Sequence, residues 1–106
     1  MPKYLFQGSY VGEGLKGLLK EGGSKRRETI KQLAQAAGGT VEAFYYAFGD
    51  DDVLVIVDFP DNVTATAVSL IANASGAVQV KTTVLMTPEE VDEATQKSVQ
   101  YRAPGQ

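Results

Sequence analysis

Five consecutive apolar residues, Val53-Leu54-Val55-Ile56-Val57, stand between Asp52 and Asp58, and nothing else in the chain restricts its fold as strongly. The run is too short for a helix, lacks polar alternation and is mostly β-branched, so it predicts a strand covered on both faces. Gly49-Asp50-Asp51 ahead of it reads as a turn. With 106 residues the chain has room for one domain, residues 1–106, and one layer of helices. That layer covers one face of a sheet, so the other face needs a second subunit or a ligand.

Lys3 to Tyr10 is expected as the first strand, with Gly8 marking a bulge or a close approach. Val11, Leu15, Leu18 and Leu19 keep the spacing of one helix face until Gly22-Gly23 interrupts it. Ser24 is placed to cap a second helical piece, whose stripe of Ile30, Leu33, Ala34 and Ala37 runs to Gly38-Gly39. Thr40 to Phe48 reads as the second strand, and the buried run as the third. Asp61 or Asn62 caps the next helix, with Val63, Thr66, Ala67, Leu70, Ile71 and Ala74 as its expected core face. Val78 to Leu85 alternates like an edge strand.

Thr87-Pro88-Glu89-Glu90 then carries a capping box and a proline at the first helical position. The last helix is thinly apolar, and the polar tail from Tyr101 is expected to fray or to drape over a neighbour. This β-α-β-β-α-β order with a C-terminal helix, joined by right-handed crossovers, is an α+β ferredoxin-like sheet.

Composition removes several kinds of chemistry. There is no cysteine or histidine, which excludes disulfides, thiol nucleophiles and a serine triad and argues against ordinary zinc or haem ligation; no cofactor and no metal are expected. The net charge of −3 argues against nucleic acid as the main partner. It is unevenly spread, with seven Lys/Arg against four Asp/Glu in residues 1–48 and three against nine in residues 49–106. Such a split can guide subunit docking. No apolar run is long enough to span a bilayer, and the first residues lack a signal-peptide core, so no membrane partner and a cytoplasmic location are expected.

The opening Pro2-Lys3-Tyr4, the segment from Lys16 to Glu28, Gly38-Gly39-Thr40, Ala43-Phe44-Tyr45, Ser75-Gly76-Ala77-Val78 and the segment from Thr82 to Glu90 resemble GYD domain proteins over nearly the whole chain. The resemblance implies the dimeric α/β barrel superfamily, in which two ferredoxin-like protomers pair their sheets. That superfamily includes cofactor-free monooxygenases, isomerases, haem enzymes and ligand-sensing domains. At the naming motif Gly49 and Asp52 match, but Asp51 stands where the family pattern has tyrosine.

Two constellations draw attention. Gly22-Gly23-Ser24-Lys25-Arg26-Arg27 sets flexible residues and three cations at a helix start, where an anion can meet free N–H groups; the competing reading is a plain helix break with its arginines paired to acids. Asp52 enters the buried strand, and is either a desolvated general base or a turn-capping acceptor, the second being favoured. Tyr10, Tyr46, Asn73 and Lys81 join Ser24, Arg26 and Arg27 as candidate ligand-binding residues, with a cavity expected between the helices and the sheet.

The reading that follows is a homodimer, or a higher oligomer, that binds a small molecule, with anions among the options. The alternatives are a cofactor-independent enzyme of the monooxygenase or isomerase kind, with Asp52 as its candidate base, and a structural assembly module.

Overall fold

The alternating residues assemble into one four-stranded antiparallel sheet. In the computed structural model, which describes residues 1–106, the elements are β1 (Lys3–Tyr10), α1 (Glu13–Glu21), α2 (Gly23–Ala36), β2 (Thr40–Tyr46), β3 (Val53–Asp58), α3 (Asn62–Ala74), β4 (Val78–Leu85) and α4 (Pro88–Thr95). The sheet order is β2-β3-β1-β4, the ferredoxin-like arrangement. β1 and β3 form its centre, paired from Lys3 opposite Asp58 to Gly8 opposite Val53.

The two-residue period of the strands divides the sheet into a covered and an open face. Tyr4, Phe6, Val53, Val55 and Val57 are buried beneath the helices with Ala34, Phe59 and Ala65. Phe59 locks the middle of this core, meeting Phe6 edge-on at 5.9 Å and Tyr4 at 6.2 Å between ring centroids. Leu5, Leu54 and Ile56 fall on the open face and are half-buried. β3 is therefore sealed on one side only, and its second face is not covered by other elements of the chain.

Several local expectations are corrected. Ser24 does not cap α2: Gly22, at φ 85°, is the N-cap residue and no side chain bonds there. The positive φ at Gly22 ends α1 and restarts the helix two residues earlier than a serine cap would. Val11 lies outside α1, and Leu15 and Leu19 of that helix are exposed. β2 stops at Tyr46, leaving Phe48 fully exposed in the turn.

In α3 the face toward the sheet is Ala65, Val68, Ser69 and Ala72, while Val63, Leu70 and Ile71 stay largely exposed. Small side chains at Ala65, Ser69 and Ala72 let α3 approach β4 closely; Val63 and Leu70 are left to solvent, while Ile71, although exposed, still borders the space between α3 and the sheet. Asp61 rather than Asn62 caps this helix, accepting from the Thr64 N–H at 2.8 Å. Asn62 instead accepts the Tyr4 hydroxyl at 2.6 Å, tying the start of α3 to the core.

The capping box at α4 forms in full, with Thr87 and Glu90 each accepting from the other's backbone N–H. Every residue of α4 is nevertheless exposed. The radius of gyration, 16.9 Å, exceeds the roughly 13 Å of a compact chain of about 100 residues, as it must when the C-terminal arm stands away from the sheet.

Candidate functional site

Two helices lie over the covered face, α2 above β2 and α3 above β4, so the central strands β1 and β3 become the floor between them. A cavity of about 260 Å³ opens there. Phe6, Gly8, Tyr10, Val53, Val55 and Val57 form its floor, with Arg26, Ile30, Leu33 and Ala34 on the α2 side and Val68, Ile71, Ala72 and Ser75 on the α3 side.

Two features of the sequence create this space. Gly8 removes a side chain from the central strand: a Cβ there would lie 3.0 Å from a Val53 methyl and 3.2 Å from a Val78 methyl. Gly8 is in regular register and is not a bulge. Ala34 and Ala72 then keep the facing helix surfaces short.

The cavity is polarised from end to end. Tyr46 donates its hydroxyl to the Gly23 carbonyl at 3.1 Å, which fixes the start of α2 at the β2 end nearest Val53 and Gly8. Gly39, just past α2, packs against Asp58, so the helix runs from the Tyr10 end of the sheet toward the Lys3 end. Arg26 and Tyr10 accordingly share one end, while Phe6, Val57 and Phe59 line the other. Arg26 is the one charged residue in the lining, and Ser75 opposite is already satisfied, donating to the Ala72 carbonyl and accepting from the Ala77 N–H.

Beside the polar end sit two phenols. Tyr46 is held above the usual tyrosine range, first by burial and then by the neighbouring Tyr10; Arg26 and Arg27 pull the other way. Its proton therefore stays in place at neutral pH. On the far side of Tyr46 a shallow depression is formed by Gly23, Ser24, Arg27, Phe44 and Tyr45. Gly23 permits this packing, because a Cβ would stand 2.9 Å from the Tyr46 ring.

The seven candidate binding residues thus separate. Tyr10 and Arg26 line the cavity, and Tyr46, Ser24 and Arg27 adjoin it around the start of α2. Arg27 is drawn toward Glu28, at 3.5 Å. Asn73 stands outside, where its amide accepts from the Val80 N–H at 2.8 Å and donates to the Val80 carbonyl at 3.3 Å, stapling α3 to the edge strand. Lys81 is on the open face, 3.1 Å from Asp51.

Asp52 does not line the cavity; its carboxylate accepts the Tyr10 N–H at 2.9 Å, and its own N–H donates to the Gly8 carbonyl. Reasoning from sequence did not single out Gly8, Val68, Ala72 or Ser75 as lining. The signal for Gly8 was present, a glycine in phase with Phe6 and Tyr10 on the covered face.

The GYD domain family profile matches residues 4–95, from the first core tyrosine to the end of α4. The chain belongs to the GYD domain family. No curated protein and no solved structure matches it. In this GYD domain Asp51, at the place of the motif's tyrosine, turns to the open face, where Gln7 and Ser9 donate to it at 3.4 and 3.3 Å.

Proposed function

We propose that this GYD domain is a small-molecule-binding homodimer whose site is the cavity between α2, α3 and the sheet. The observation that carries the reading is the cavity itself: fifteen of its eighteen lining residues are hydrophobic, and a single cation marks one end. Apolar walls with few polar groups are the usual make-up of a ligand site. An apolar cavity of about 150 Å³ already admits benzene, so this one has space for a substituted ring or a medium-length chain.

Dimerisation follows from the open face. Leu5, Leu54 and Ile56 occupy its centre, with Tyr45 exposed beside them, and a second sheet is the cover that matches such a surface. The enzyme alternative is less well supported, because no carboxylate lines the cavity and Tyr10 is its only ionisable hydroxyl.

Titration with indole tests the site. Binding should shift the methyl resonances of Val55, Val68 and Val80, and Ala72→Phe, which fills the space from α3, should abolish the shifts. Indole binding that survives Ala72→Phe, or no binding to the wild type, overturns the assignment. Light scattering at micromolar concentration should give a dimer, and a stable monomer overturns that part.

A further inference from the structure

We infer that the ligand is a monoanionic amphipathic acid, a carboxylate on an apolar ring or short chain, held by Arg26 with its body over Phe6 and Phe59. This rests on the cavity being the binding site and adds the chemical class of its occupant. Three cations of the chain are half-buried, Lys3, Arg26 and Lys31. Lys3 bonds Glu42 and Asp58, and Lys31 lies 3.7 Å from Glu28. Arg26 alone among the three has no carboxylate partner, and it lines an apolar cavity.

A partly desolvated guanidinium without a counterion favours an anion, and its planar fork matches a carboxylate in a bidentate pair. Tyr10 lines the same end beside Tyr46, whose own hydroxyl is taken by the Gly23 carbonyl, so Arg26 is the group left to hold an anion. One cation sets one negative charge, since a dianionic phosphate would leave a second charge among hydrophobic walls with nothing to neutralise it. The opposite end, where Phe6 meets Phe59 edge-on at 5.9 Å, presents no polar side chain to a ligand. Charge at one end and an aromatic floor at the other describe an amphipathic acid lying along β1.

The test compares 3-phenylpropanoate with 3-phenylpropan-1-ol, which share a body and differ in the head group, on the wild type, Arg26→Gln and Ala72→Phe. Calorimetry should show the acid binding the wild type at least tenfold more tightly than the alcohol. Arg26→Gln should remove that preference, weakening the acid tenfold or more and leaving the alcohol unchanged, and Ala72→Phe should weaken both. If the alcohol binds as well as the acid, or the acid survives Arg26→Gln, the acid class is wrong while the cavity assignment stands. If neither probe binds, or both bind Ala72→Phe as they bind the wild type, the cavity assignment itself falls. Methyl shifts of Val55 and Val68 in the wild type locate either probe without a variant, and their absence on binding also overturns the cavity assignment.

Discussion

The carboxylate of Asp52 accepts the backbone N–H of Tyr10 at 2.9 Å, joining the residue that enters β3 to the residue that ends β1. With the Ala47 N–H donating to the Asp52 carbonyl at 2.8 Å and the Asp52 N–H to the Gly8 carbonyl at 2.8 Å, Asp52 ties together the strand ends that support the polar end of the cavity. Its geometry is that of a structural acceptor.

Asp52→Ala should therefore destabilise the fold by about 1 kcal/mol, the ordinary worth of such a bond, and lower Tm by roughly 5 °C in a domain of this size. Asp52→Asn, which retains an acceptor oxygen, should cost less. Indole affinity, measured in parallel, should stay within twofold of the wild type. Loss of binding with unchanged Tm would place Asp52 in the site instead.

Strand periodicity carried the fold in sequence form. β1 and β4 begin and end at the expected residues, and the start of α4 could be located from Thr87, Pro88 and Glu90 because capping is a local interaction. The face of α3 was misread for a tertiary reason. Its composition is apolar on both sides, so periodicity alone could not tell which stripe faces the sheet, and closeness to β4 selected the alanines. The binding residues divided along the same line. Arg26 follows from helical phase relative to Ile30, whereas Asn73 and Lys81 were placed by backbone pairing and by strand parity, which depend on the assembled sheet.

Alkaline pH should weaken the fold through two groups. Tyr46 is raised chiefly by burial, and Lys3 by its hydrogen bonds to Glu42 and then Asp58. Both fold with their protons held more tightly than in the unfolded chain, so their contribution is complete below the unfolded values, near 10 for tyrosine and lysine alike. It is lost as pH rises through the higher folded values. Denaturant midpoints between pH 8 and 11.5 should fall with pH in the wild type and fall less steeply in Tyr46→Phe and in Lys3→Met. Three parallel curves would show that neither group is linked to folding.

On the open face the Lys81 ammonium lies 3.1 Å from the Asp51 carboxylate, whose side chain is 14% exposed against 66% for that of Lys81. In an isolated protomer this pair faces water on the lysine side, and Lys81→Met should cost no more than about 1 kcal/mol. The proposed sheet-to-sheet dimer changes the cost, because covering the face removes the solvent that would otherwise screen Asp51. An unpaired carboxylate buried in that way costs about 3 kcal/mol or more, and each interface would contain two. Lys81→Met should therefore raise the dimer dissociation constant at least a hundredfold in sedimentation equilibrium, with little change in the unfolding of the separated protomer. Adding Asp51→Asn to Lys81→Met should recover much of the loss, since the stranded charge is then gone. A dimer constant unmoved by Lys81→Met would mean that this part of the face stays wet, and that the protomers associate through another surface.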